Sequence, residues 1–275
     1  MAGQLTWGGS LHQTFRILET PSPNLKVFLS AEGLTPLQVL GRLPYDKARV
    51  PGSKVPTSAD ARRYRDGRQV YQTAGLLYEG DDHRLHITDL GRATLRWLDV
   101  IHPKNVTILG RHAAYALAAC QLRNPTRAGL RYDPAMTVFP FAFIWRAMLQ
   151  LDARMTSDEM NRALFRVQNE DQLAVAIAQI ASARAGGTPL GAETITGPAK
   201  SDRIIPWISI ASFGWTLIAN KDKDDSPGFY TIPARTRDVL HEAAMIRHRH
   251  RTDFSSVAEY VQRVSDSAAL PPDLR

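Results

Sequence analysis

Residues 57–99 read TSADARRYRDGRQVYQTAGLLYEGDDHRLHITDLGRATLRWLD. The first part opens on polar residues, where Thr57 or Ser58 can cap a helix. It continues with Tyr64, Gly67, Val70, Tyr71 and Ala74 on one helical face. The opposite face collects Arg62, Arg65, Asp66, Gln69, Gln72 and Thr73. Of these, Arg62, Arg65, Gln69 and Gln72 follow one another at i, i+3, i+7 and i+10, a single stripe. Gly67 predicts a break or bend, because glycine inside a helix costs ~1 kcal/mol relative to alanine. The second part, LLYEGDDHRLHI, predicts a hairpin: strands at 76–78 and 85–87, a tip at 79–84, and turn chemistry from Gly80 and Asp81. In the third part Thr88 or Asp89 caps a helix with Leu90, Ala93, Thr94, Trp97 and Leu98 on one face. Gly91, in its first turn, permits a close approach to the hairpin.

Helix, two-stranded wing, helix is the core of a winged helix-turn-helix, a fold that places one helix in the major groove. Arginine matches the edge of guanine and glutamine that of adenine, both through paired hydrogen bonds. The expected DNA contacts are therefore Arg62, Arg65, Arg68, Gln69 and Gln72 on the helix, with Arg63 beside them. Arg49 and Lys54, in the basic loop YDKARVPGSKVP, add phosphate contacts. A charged helix face is more commonly just solvated surface; the hairpin that follows tips the reading toward DNA. The hairpin tip holds Glu79, Asp81 and Asp82 beside His83 and Arg84. That is too acidic for a DNA-gripping wing, so phosphate contact is assigned to the helix and its preceding loop.

Outward from this stretch, the pattern is helical. Residues 10–20 carry Leu11, Phe15 and Leu18 at helical spacing. Asn24 can cap a short helix that stops at Gly33, and Thr35 followed by Pro36 opens another. Downstream, NVTILGRHAAYALAACQLRN is apolar nearly all round, which predicts a helix buried on more than one side. A further apolar helix centres on Phe141, Ile144, Trp145 and Met148. Capping boxes start at Thr156 and Asn169, the second leading into LAVAIAQIASAR. Strand 215–219 is expected to pair with 229–232 around NKDKDDSPG. A helix then runs from ARTRD into the basic cluster at 247–251, and a last helix covers DFSSVAEYVQRVSDSA. The expected fold is mainly α with small β-hairpins: two winged helix-turn-helix units joined by a buried helix. Residues 1–103 form the first unit, and 104–275 the linking helix and second unit. The second unit's candidate recognition helix carries only Gln172, Gln179, Ser182 and Arg184. Lys200, Arg203, Lys221, Lys223 and the 247–251 cluster are the cations that could reach phosphates from it. Packing or dimerisation of this unit, without DNA contact, stays an equal alternative.

Composition narrows the class. The 275 residues carry 34 Lys and Arg against 27 Asp and Glu, a formal net charge of +7, which favours an anionic partner. The single cysteine, Cys120, excludes a disulfide framework or a cysteine zinc cluster within the chain. MAGQLTWGGS has no charged n-region or apolar h-region, and no apolar run reaches the ~20 residues of a membrane span. A cytoplasmic location is expected.

The runs AGLLYEGDDHRLHITDLGRATLRWL, QLRNP, VFPFAFIWRAMLQLD, MTSDEMNRALFRV and QLAVAIAQIASAR resemble the DNA-recognition portion of AlwI-type restriction endonucleases and related actinobacterial restriction proteins. The likeness covers roughly residues 60–245. It implies sequence- or modification-specific recognition of double-stranded DNA in host defence, by paired winged-helix units ahead of a separate nuclease domain. Catalytic chemistry is not expected in this chain. A metal-dependent nuclease of the acid-x-lysine type needs a carboxylate two residues before a lysine. None of Asn24, Tyr45, Gly52, His102, Pro198, Ala219 and Lys221, which precede the seven lysines at that spacing, is acidic. No metal or cofactor site is expected. The partners expected are duplex DNA, a nuclease domain or partner subunit, and a second copy in a homodimer. Two alternatives remain: a winged-helix transcription regulator, and a modified-base reader drawing an aromatic cage from Trp7, Trp97, Trp145, Trp207 and Trp215.

Overall fold

The computed structural model describes residues 23–43, 58–99, 103–127, 135–191, 204–213, 217–219 and 228–275. The chain is mostly helical, with two small antiparallel sheets. Helix α1 (Pro23–Leu29) is followed by α2 (Pro36–Arg42), which starts at a capping box between Thr35 and Gln38. Helix α3 (Ser58–Thr73) buries Tyr64, Gly67, Val70, Tyr71 and Ala74, the face its periodicity marks. It runs unbroken through Gly67, because packing of that face against α1 and α2 outweighs the local glycine cost. Helix α3 stops at Gly75 (φ 76°), where the Leu76 amide reaches back to the Tyr71 carbonyl and the Gly75 amide to Gln72.

Strands β1 (Leu77–Glu79) and β2 (Leu85–Ile87) then form the expected hairpin, in the register Tyr78↔His86. The stretch after α1 joins its outer edge: Gly33 N–H donates to the Leu85 carbonyl (2.8 Å) and Leu85 N–H to that of Leu34 (2.9 Å). Helix α4 (Asp89–Asp99) is capped by Thr88, whose hydroxyl oxygen accepts from Gly91 N–H (3.1 Å). The same hydroxyl donates to the Gly75 carbonyl at 2.6 Å, with the Leu76 carbonyl at 3.0 Å. Gly91 is required here: a Cβ on it would lie 2.1 Å from the Leu76 carbonyl oxygen.

Helix α5 (Pro103–Ala118) packs against α4, α6 (Pro140–Gln150) and α10 (Ala234–Met245), burying Leu109, Ala113, Ala114 and Ala116 to Ala118. Cys120, just beyond it, is fully buried and donates to the Thr73 carbonyl, and burial pushes its thiol far above the ordinary range. Trp145 of α6 is likewise fully buried, its indole N–H bonded to the Ala211 carbonyl (3.0 Å).

The second sheet differs from expectation. Strand β4 (Phe229–Thr231) pairs chiefly with β3 (Arg154–Thr156), which follows α6, in the register Met155↔Tyr230. Of the expected 215–219 partner, Ala219 makes one bridge, to Thr231 on the opposite edge. Residues 214–216 lie outside the described set. The Thr156–Glu159 capping box opens α7 (Ser157–Arg162), and the Asn169–Gln172 box leads into α8 (Leu173–Arg184), both as expected. Helix α9 (Ile204–Ala211) packs on α6 and α7. Helix α10 ends at Met245, before the basic cluster it was expected to include, because Ile246 takes an extended conformation (φ −64°, ψ 121°). The last helix, α11 (Val257–Ser267), returns to pack on β1, α4 and α5, so contacts cross the expected boundary at 103/104.

Arg184, at the end of α8, closes the second half. Its guanidinium pairs with both Glu159 oxygens (2.7 and 3.0 Å) and donates to the carbonyls of Leu151 and Arg154. Burial opposes the charge on Glu159. The bonds from Arg184 and Thr156 outweigh burial and hold the carboxyl below its usual range. A depressed folded-state pKa contributes stability that is complete above the ordinary value of 4.5 and is lost as pH falls through the folded value. Glu159→Gln should therefore destabilise the protein at neutral pH, and its deficit should shrink as unfolding is measured at progressively lower pH below 4.5. A pH-independent deficit contradicts this account of the ion pair. Gly91→Ala should cost about 3 kcal/mol in chemical denaturation, since backbone must move to admit the methyl. A loss below ~1 kcal/mol means that α4 and the hairpin are not locked together as described.

Candidate nucleic-acid interface

The side chains along α3 divide at about its middle. Towards its C-terminal end the polar stripe is covered. The 3₁₀ turn Pro125–Arg127 lies against it, and Gln69 Nε2 donates to the Thr126 carbonyl (3.3 Å). The Thr73 and Thr126 hydroxyls meet at 3.3 Å, and Thr73 is buried. Gln72, between these two, is 7% exposed. The expectation that Gln72 sits on an open recognition face is thus corrected: a segment some fifty residues downstream covers that end of the stripe. Gln69 is half-buried at the margin of the cover.

Arg68 is also committed. Its guanidinium pairs with Glu79 on β1, with both side chains less than one-third exposed, and lies over the Tyr64 ring at 5.4 Å. This pair ties the helix to the hairpin and uses a cation expected at DNA. The N-terminal half of α3 holds Arg62, Arg63 and Arg65. Arg65 is exposed, while the side chains of Arg62 and Arg63 are outside what the structure describes. When a helix enters the major groove, the residues near its N-terminus are the ones that reach base edges.

The hairpin tip is held by its own charges. Asp82 accepts from the Arg84 amide (3.1 Å) and faces His86 Nε2 at 3.1 Å. The bond to His86 is the main cause of a lowered Asp82 pKa. Arg84 donates to the Gly33 carbonyl (2.6 Å). Asp81, Asp82, His83 and Arg84 are all exposed, with Arg84 tied to the Gly33 carbonyl. The tip has the acidic character read from its sequence.

In the second half, α8 presents Ala174, Val175, Ala178, Gln179, Ala181 and Ser182 to solvent, an uncharged face. Arg184, counted among its candidate polar groups, is engaged by Glu159 instead. Arg49, Lys54, Lys200, Arg203, Lys221 and Lys223 all lie outside the described residues. So do Trp7 and Trp215, while Trp145 and Trp207 are core residues, which leaves the aromatic-cage idea without support from those two. Among the described residues no group of three or more His, Cys, Asp or Glu is placed to hold a metal ion. No helix among them is long and apolar enough to cross a membrane.

If Arg68 serves the fold, Arg68→Ala should lower stability by about 1–2 kcal/mol, and a double-mutant cycle with Glu79→Ala should show coupling of similar size. Arg65→Ala should leave stability within about 0.5 kcal/mol. Zero coupling between Arg68 and Glu79 contradicts the assignment.

No family pattern and no curated protein sequence matches the chain. Its fold is similar to that of the BpuJ1 endonuclease binding domain, solved in complex with pyrene- and phenanthrene-modified DNA. The TM-score is 0.57 at 12% sequence identity, over 88% of this chain and 90% of that one.

Proposed function

We propose that this chain is a recognition module of a restriction or defence system, binding double-stranded DNA through two winged-helix units. The observation that carries the reading is the fold likeness over 88% of the chain to an endonuclease binding domain solved on DNA. Cleavage is then the work of a separate nuclease domain or a partner subunit.

A repeated plan supports the two-unit reading. In the first half, the stretch after α1 bonds to β2 of the hairpin through Gly33 and Leu34. In the second, β3 after α6 pairs with β4, and Ala219 lies on the other edge. Each half thus runs helix, short extended stretch, further helices, hairpin-like pair, helix. On this plan α3 and α8 are the two recognition helices. Helix α3 has cations in its open half and reads base edges through Arg62 and Arg65. Arg63, Arg49 and Lys54 supply phosphate contacts. The uncharged face of α8 suits apolar contact with thymine methyl groups. Lys200, Arg203, Lys221 and Lys223 supply backbone contacts from that half.

Binding-site selection from a random duplex pool, followed by titration across salt, tests this. The selected duplex should bind with log K falling linearly against log salt, by ~0.9 for each phosphate neutralised. Arg65→Ala should relax the preference at one or two positions, by ~1–3 kcal/mol of discrimination. Failure to enrich or bind any duplex at low salt overturns the reading. A strictly palindromic footprint occupied by a dimer would favour a transcription regulator over a restriction module.

A further inference from the structure

Past Met245 the chain carries no helix or strand until α11 begins at Val257; Ile246 is extended, and His248 N–H closes a tight turn on the Ile246 carbonyl (3.2 Å). From 247 to 250 the side chains alternate between exposed and half-buried. His248 and His250 turn inward onto Phe139, with ring centroids at 5.9 and 6.1 Å. Arg247 and Arg249 point the other way and are exposed, and neither guanidinium has a hydrogen bond or ion pair within the described structure.

The segment's backbone is held in place. Arg251 N–H donates to Gln121 Oε1 (2.9 Å), Gln121 Nε2 donates to the Arg251 carbonyl (2.8 Å), and Arg263 Nη2 donates to the Arg249 carbonyl (2.6 Å). Two of the acids nearby, Asp253 and Glu259, both pair with Arg251 at 2.9 Å. The inward layer stays neutral, since burial, with Arg263 near both histidines and Arg123 near His250, lowers the pKa of each. Arg247 and Arg249 therefore stand on fixed backbone, beside Arg123 and Arg263. Such a concentration of like charge works against folding unless an anion is bound there.

The ridge is connected to α3 by an unbroken chain of hydrogen bonds. Gln121, which holds Arg251, accepts through its carbonyl from Asn124 Nδ2 (2.6 Å). Asn124 Oδ1 accepts from Thr126 N–H (3.0 Å), and the Thr126 carbonyl accepts from Gln69 of α3.

We infer that residues 246–251 form a rigid phosphate-gripping ridge, in which Arg247 and Arg249 contact the backbone of the same duplex that α3 engages, while His248 and His250 seat the ridge on Phe139. This rests on the DNA-binding reading above. The experiment is a fluorescence-anisotropy titration of the whole chain against its selected duplex and an unrelated duplex, from ~50 to ~200 mM salt. The proteins are the unmodified chain, Arg247→Ala/Arg249→Ala, Arg247→Lys/Arg249→Lys, and Arg111→Ala, a control cation paired on the surface with Glu242. Loss of two phosphate contacts should make the salt slope shallower by ~1.8, so that the fall in affinity across this range becomes about twelvefold smaller. The preference for the selected over the unrelated duplex should not change. The lysine variant should keep the slope, because a point charge suffices for phosphate, and Arg111→Ala should bind as the unmodified chain does. All four should unfold at the same temperature within ~2 °C, since these side chains hold little of the fold together. An unchanged slope in the alanine variant, while the unmodified chain binds, overturns the ridge alone. A changed sequence preference also overturns it, by making the contacts base-reading. Absence of binding by the unmodified chain overturns the ridge and the DNA reading together.

Discussion

The hydroxyl of Thr88 and the missing side chain of Gly91 form the joint on which the first half of the molecule depends. The hydroxyl caps α4 and donates to the chain leaving α3, at Gly75. This brings the first turn of α4 so close to Leu76 that no Cβ fits between them. On the same side Gly75 meets α11, where a Cβ would lie 2.7 Å from Val264 Cγ1, and Ser265 Oγ faces the Leu90 amide at 3.4 Å. A hydroxyl left without partners in this buried place would cost ~1–3 kcal/mol. The end of α3, the hairpin, the start of α4 and the last helix of the chain are thus positioned together, and the direction of α3 is set by that packing.

With the frame set, charge pairing sorts the basic residues into two kinds. Arg68, Arg84, Arg146 and Arg184 are bound to carboxylates or carbonyls and hold elements together. Arg68, Arg146 and Arg184 each meet a carboxylate less than one-third exposed, which burial would otherwise leave without a partner. The guanidiniums of Arg247 and Arg249 are exposed and hold no other element of the described structure. A partner that is a polyanion would be met by the second kind, and the proposed interface is built from them rather than from the basic residues as a whole.

Much of this is legible in the sequence, and what is not depends chiefly on long-range contacts. The buried face of α3, the cap at Thr88, the close approach at Gly91 and the boxes at Thr156 and Asn169 are all local, and each appears where local pattern put it. Periodicity says which face of a helix is apolar; it does not say what a polar face will meet. Gln69 and Gln72 are covered by a turn near residue 126, and Arg68 and Arg184 are taken by Glu79 and Glu159. Strand β3 has three residues, too few to show a period of two, so β4 was given a neighbour in sequence as its main partner. The basic cluster at 247–251 reads as a continuation of α10; its alternation of histidine and arginine, with a period of two, is the signal that it is not helical.

On the proposed reading, one duplex lies across the N-terminal half of α3 and the 246–251 ridge. Amide hydrogen exchange with and without the selected duplex tests it most directly. The account predicts slowed exchange in peptides covering residues 58–66 and 246–251, with the buried α5 and α6 unchanged. Binding that leaves both segments unprotected, or that protects only surfaces remote from them, contradicts it.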